Sequence, residues 1–184
     1  FRRVLFRSYD PKETILDCAE WTADFIVDPI LSVRDPKPGA VQLAGIVLAA
    51  AGLKRLGLGE RIRHIFDTKD MLPAAGQGAL GIEIRAARDD VRSVLQPLAH
   101  QTTWLAVAAE RAVSRAMGGS CSMPLAAHAV LHGHGLDLHA AWGNPDLSST
   151  TLVRAHSQGE VSTLEEAEAL GLSAARQLRA QGAG

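Results

Sequence analysis

Cys121 stands in GGSCSMP, residues 118–124, behind two glycines and a serine and three positions ahead of a proline. Glycines strip the flanking chain of bulk and Pro124 stiffens its exit, so a thiol here can be held exposed in a fixed loop. A free cysteine is also commonly a small buried hydrophobe, and thiolate chemistry needs a neighbouring base or positive potential. No local Cys/His signature of a protease accompanies it. Loop context leaves both readings of Cys121 open.

Three other groupings have residue types suited to chemistry. The hexapeptide GQGALG, 76–81, satisfies G-x-G-x-x-G, which in dinucleotide-binding folds joins a strand to a helix N-terminus that holds pyrophosphate. Here the preceding DTKDMLPAA is not strand-like, and GIEIR after it alternates as a strand does rather than opening a helix. The glycines instead fit a hinge or a ligand-facing turn that needs unusual backbone angles. His128, His132 and His134, with His139 nearby, converge if they lie on a hairpin. No carboxylate or cysteine has ligand spacing to them, so no metal site is assigned. Lys54, Arg55, Arg61 and Arg63 form either a solvated helical face or a clamp for carboxylate or phosphate.

These residues need elements to position them. GIVLA at 45–49 is short, apolar and partly β-branched, which predicts a buried strand, and AAGLKRLGL after it predicts a helix closed by glycine. Val91, Leu95 and Leu98 are spaced for one helical face. Between 102 and 119, Leu105, Ala108, Ala109, Ala112, Val113 and Ala116 form an apolar stripe, with Glu110, Arg111, Ser114 and Arg115 off it and Gly118–Gly119 as the stop. Cys121 therefore follows a helix. From Leu125 the period drops to two, and turns at HGHG and GNPD divide LAAHAVL, LDLHAAW and STTLVRAH into a three-stranded antiparallel meander. Thr163 and Glu166 form a capping-box pattern ahead of a last helix with Leu164, Ala167, Gly171, Ala174 and Leu178 on its core face. The expected fold is α+β, with this sheet packed on helices.

Composition bounds the function. The chain has 184 residues, 47% of them hydrophobic, with 19 basic against 20 acidic side chains. It is long enough to bury a core, and its balanced charge excludes a global field that would recruit nucleic acid or an anionic membrane. Two cysteines far apart, Cys18 and Cys121, form neither a disulfide framework nor a zinc site and fit a reducing cytoplasm. The start, FRRVLFRSYDPKETILDC, is too often broken by charge for a secretory segment, and no apolar run approaches the ~20 residues of a membrane span. Residues 1–39 are the least legible, ending in a Pro/Gly breaker cluster at 35–39 that reads as a linker.

Several long, colinear blocks resemble the porphobilinogen deaminase (hydroxymethylbilane synthase) family: AAAGLKRLGLGERI, LPAAGQGALGIEIR, AERAVSRAMGGSCSMPLAAHA and EEAEALGLSAARQLRAQGA, together spanning about 41–183. The resemblance implies that Cys121 carries a dipyrromethane cofactor through a thioether, and that Gln77 and Gly78 face this cofactor. It implies that Arg55 contacts substrate carboxylates. The implied activity is head-to-tail condensation of four porphobilinogen units with loss of ammonia, by a monomeric enzyme whose partner is the small-molecule substrate.

The family has three domains. The resemblance divides this chain into an unmatched segment 1–39, the end of an α/β second domain with its hinge over 40–78, and a C-terminal cofactor-attachment domain over 79–184. Ser122 and Met123 depart from the glutamine and valine frequent in the family after the cysteine. The family's first-domain catalytic aspartate has no counterpart here, so the chain alone is expected to be inactive. Two readings of other classes remain: a non-catalytic binding module with the same fold, and a nicotinamide enzyme using GQGALG.

Overall fold

The computed structural model describes residues 4–9, 25–28, 46–119, 123–143 and 152–184, with side chains from residue 49 onward. The expected linker at 35–39, both cysteines and most of the GNPD turn lie outside the described residues. The chain divides into two compact units, Phe1–Glu20 with Leu72–Gly184, and Trp21–Met71.

In the smaller unit, β2 (Phe25–Asp28) pairs antiparallel with β3 (Ile46–Ala49). The chain passes from β3 straight into α1 (Ala50–Arg55). Ala50 and Leu53 are buried, and Leu58 and Ile62 pack against them. The helix closes when Gly57 N–H donates to the Lys54 carbonyl and Leu58 N–H to that of Leu53. The returning Leu58 thus covers the helix's own last apolar residue. Strand and helix appear where apolar pattern and glycine placed them.

In the larger unit, β1 (Val4–Tyr9) runs parallel to β4 (Leu80–Arg85). Sequence pattern left β1 and β2 unassigned. α2 (Asp89–Leu95) ends in a 3-10 turn at Gln96–Leu98, because Pro97 cannot continue an α-helical ladder. Leu98, expected on the buried face, is 50% exposed in consequence.

The remaining elements form an α+β layer pair. Strands β5 (Leu125–His132), β6 (Gly135–Trp142) and β7 (Val153–Glu160) make an antiparallel sheet in the order β5-β6-β7. β7 runs four residues past the expected end at His156, since β6 offers partners as far as Gly135. Ala127, Ala129, Leu136, Leu138, Ala140 and Ala155 point to one face. There they meet α3 (Gln101–Ala116) and α4 (Leu164–Ala180) in one continuous core. Thr163 Oγ1 accepts from Glu166 N–H while Glu166 Oε2 accepts from Ser162 and Thr163 N–H, so the capping box forms as expected. These backbone donors hold the Glu166 carboxyl below its ordinary range.

The buried stripes differ from expectation in two ways. On α3, Ala106, Val107 and Glu110 are buried while Ala108 and Ala116 are only partly so, because the helix is covered on more than one side. On α4, Ala175 joins the core and Leu164 is 37% exposed, as it sits in the first turn, at the margin of the packed face.

The two helices approach most closely at Gly171. A Cβ there would clash with the Ala109 carbonyl oxygen and stand 2.7 Å from Ala112 Cβ. Neither neighbour can swing aside, since one is backbone and the other a side chain with no rotamer to change. Gly171→Ala is therefore expected to destabilise the larger unit by about 1–3 kcal/mol through overpacking, outweighing alanine's better helix propensity. Urea unfolding followed by circular dichroism measures this, and an unchanged midpoint would contradict the packing described.

Candidate functional site

GQGALG takes its shape from two successive turns. Gln77 N–H donates to the Ala74 carbonyl and Ala79 N–H to that of Gly76. Gly76 (φ 78°) and Gly78 (φ 81°) each occupy the third position of one of these turns. Positive φ at that position is what a type II turn requires, so two turns in tandem demand glycine at every second residue. Gly81 has no such need: it lies in β4, and a Cβ there would meet nothing within 4 Å. A strand follows the motif rather than a helix, so the arrangement that holds pyrophosphate is not formed.

Gln77 folds back on its own turn, its Oε1 accepting from Ala74 N–H at 3.2 Å. Its Nε2 and the Gly78 N–H have no hydrogen-bond partner among the described residues. Both residues are half-buried. The turn therefore offers donors and no charge, an arrangement suited to a carboxylate or a polarised ring substituent.

What fixes this turn is Glu110, a residue the helical period placed on the solvent side. It is 0% exposed. Its Oε2 accepts from Gly76 N–H at 2.7 Å and its Oε1 from Ala129 N–H at 2.8 Å. His128 Nδ1 lies 3.6 Å from the same Oε1. Ala127 N–H donates to the Pro73 carbonyl at 3.0 Å. One carboxylate thus ties together the turn, α3 and the outer edge of β5. A charged side chain is buried only when its oxygens are satisfied, and here backbone donors from two segments satisfy them.

Cys121, with Ser120 and Ser122, lies outside the described residues, but both flanks of this short connection are defined. α3 closes with Gly118 at φ 85°, Gly118 N–H donating to the Arg115 carbonyl and Gly119 N–H to that of Ser114. Met117, the last residue before the glycines, is buried. A Cβ at Gly119 would clash with Ser114, so the chain must leave the helix there without a side chain. On the far flank Met123 packs against the core, and the Pro124 carbonyl accepts from Gly143 N–H at 2.8 Å.

Arg55 belongs to the other compact unit. It ends α1 and is exposed together with Lys54. Of the basic cluster, Arg61 falls in a 3-10 turn at Gly59–Arg61 and Arg63 in the exposed chain beyond it, so the four residues do not share one helical face.

Among the described residues no helix is long and apolar enough to cross a membrane. A family model described as "Porphobilinogen deaminase, dipyromethane cofactor binding domain" matches residues 32–93, which contain Arg55, Gln77 and Gly78. A second, "Porphobilinogen deaminase, C-terminal domain", matches 104–180, which contain Cys121 and Glu110. The porphobilinogen deaminase of Albidiferax ferrireducens is 58% identical over 160 residues, 85% of this chain and 50% of that protein. That of Paraburkholderia phymatum is 50% identical over 163 residues, 87% and 49%, and that of Burkholderia thailandensis 54% over 153, 83% and 46%. The chain spans about half the length of the curated relatives it matches. With its two matched regions in order and together covering most of its length, the chain belongs to the porphobilinogen deaminase family.

Proposed function

We propose that this chain carries the cofactor-bearing part of a hydroxymethylbilane synthase, which condenses four porphobilinogen units on a dipyrromethane bound through a thioether to Cys121. The observation that carries the proposal is the tandem turn at 74–79. Glu110 fixes it to α3 and β5, the elements that the Cys121 connection joins, and it leaves the Gln77 amide and the Gly78 N–H as donors. A dipyrromethane has acetate and propionate groups, and such donors fit them. When bound, it supplies a covalently held pyrrole chain end, which makes each condensation effectively intramolecular.

The chain's own residues then have separate tasks. Gln77 and Gly78 orient the bound group from a turn with little freedom to move. Arg55, with its forked donors on a solvent-facing helix end, neutralises carboxylates of incoming substrate. In this proposal residues 40–78 complete a second domain and hinge, and 79–184 form the cofactor-attachment domain. The protein works as a monomer in the cytoplasm, and its substrate is a small molecule.

Catalysis also needs a carboxylate against the pyrrole nitrogen, to stabilise a developing cation and to exchange a proton with the leaving amine. Glu110 cannot serve, because both its oxygens are committed to backbone donors. Because the resemblance gives the family's first-domain aspartate no counterpart among them, the 184 residues alone are expected not to consume porphobilinogen, and the chain supplemented with the remaining half of a relative is expected to do so. Substrate loss and uroporphyrin formed after oxidation measure both. A folded, supplemented protein without turnover would favour the non-catalytic binding module. Turnover by the 184 residues alone would mean that they contain the missing carboxylate.

Arg55→Leu in the supplemented protein is expected to slow elongation roughly ten- to a hundredfold, the value of about 1.5–3 kcal/mol for a charge-assisted hydrogen bond. Lysine keeps the charge but not the two-pronged geometry, so Arg55→Lys is expected to restore the rate only in part. Elongation at the unmodified rate in Arg55→Leu would remove the residue from the site.

A further inference from the structure

The sheet face opposite the helices gathers three ligand-type side chains that sequence spacing did not connect. On β6, Asp137 and His139 are two residues apart and so point to the same side. On β7, His156 is the register partner of His139. The imidazoles of His139 and His156 stack with centroids 4.5 Å apart and planes 14° apart. Both direct Nε2 at one carboxylate oxygen: Asp137 Oδ1 is 2.5 Å from His156 Nε2 and 3.4 Å from His139 Nε2. One ligand atom from each of the three residues lies within 4.8 Å of the others. Partial burial pushes the Asp137 carboxyl up, but the His156 hydrogen bond and the two imidazoles outweigh it and hold the group below its ordinary range.

We propose that Asp137, His139 and His156 bind a first-row divalent transition ion, Zn2+ above all, on the open face of the sheet. Two imidazoles and a carboxylate are the donor set that suits such an ion, and three protein ligands leave a fourth position for water. Bonds of about 2.0–2.1 Å in a tetrahedral site place ligand atoms about 3.3 Å apart. The two Asp–His separations, 2.5 and 3.4 Å, lie on either side of that value, and all three ligand atoms fall within 4.8 Å of one another, so side-chain rotation has to draw the imidazole nitrogens together around the ion.

Half-exposed rings at His139 and His156 leave an approach path. His128, the partner of His139 on β5, is turned toward Glu110 and is not a ligand. His132 ends β5 and His134 lies in the β5–β6 turn, and neither joins the cluster. The ion clamps β6 to β7 and therefore stabilises the fold by mass action.

The test is calorimetric titration of the 184-residue chain with Zn2+ alone, with Co2+ absorbance as a reporter of tetrahedral geometry. One saturable equivalent and a melting temperature raised by Zn2+ are expected. Asp137→Asn, His139→Ala and His156→Ala are each expected to weaken binding at least tenfold and to abolish the thermal shift, whereas His134→Ala changes neither. These side chains lie on the surface, and circular dichroism verifies that each variant folds. If the His139→Ala/His156→Ala pair loses structure, Asp137→Asn alone decides. No saturable binding would overturn the proposal, as would binding of unchanged affinity in the variants.

Discussion

Cys121→Ser, in the chain supplemented with the remaining half of a relative, is expected to leave no covalent dipyrromethane on the protein and no turnover. A hydroxyl at this position stays protonated at neutral pH and is a far weaker nucleophile than a thiol, so exchanging sulfur for oxygen removes the bond-forming atom. The described framework on either side of the position is held by other residues. The closure at Gly118–Gly119 and the anchoring of Met123 and Pro124 use other atoms. Folding is therefore expected to survive, and the loss to be chemical. Intact mass and an acid aldehyde-reagent colour test read the adduct. Cys18→Ser is expected to retain it fully. A mass increment persisting on the Cys121 variant would overturn the assignment.

Glu110→Gln is expected to lower stability by about 3 kcal/mol, in the range for breaking a buried charged hydrogen-bond network. The replacement has nearly the same shape, so the loss reports charge and hydrogen-bond polarity rather than packing. The carboxylate accepts from Gly76 and Ala129 through different oxygens. An amide has one oxygen, and its NH2 must then face a backbone N–H, donor against donor. For a unit of this size the midpoint of thermal unfolding is expected to fall by about 10 °C or more. Slower amide exchange in native protein than in the variant, at residues 74–79 and 127–129 together, would identify the carboxylate as the tie between them. A melting point within a degree of the unmodified protein would mean that the tie has no energetic weight.

The contrast between Thr163 and Glu110 explains which parts of the structure were legible in sequence. A capping box is made by residues three apart, and alternation in 125–142 reports a sheet face, so both follow from local pattern. The partners of Glu110 lie 34 and 19 residues away. Nothing in an alanine-rich helix distinguishes a buried glutamate from a solvated one. The same holds for Asp137, His139 and His156, whose meeting depends on the register of β6 against β7. Gly76 and Gly78 were legible as turn glycines but not as members of two overlapping turns. β1 and β2 gave no periodic signal, because each pairs with a strand far along the chain and neither alternates cleanly. The tetrapyrrole chemistry came from extended resemblance, since no single motif specified it.

The sheet's two margins have a consequence for solubility. A strand edge with unpaired backbone groups is a template on which a second chain can grow. On β5 the outward N–H groups of Ala127 and Ala129 are taken by Pro73 and Glu110, and on β7 the Arg154 carbonyl is taken by Gln181 Nε2. Glu110 therefore also acts as a guard against intermolecular strand addition. Weakening this tie loosens one of the contacts that cover an alanine- and valine-containing strand, so Glu110→Gln is expected to form β-rich aggregates at a lower temperature than the native protein does.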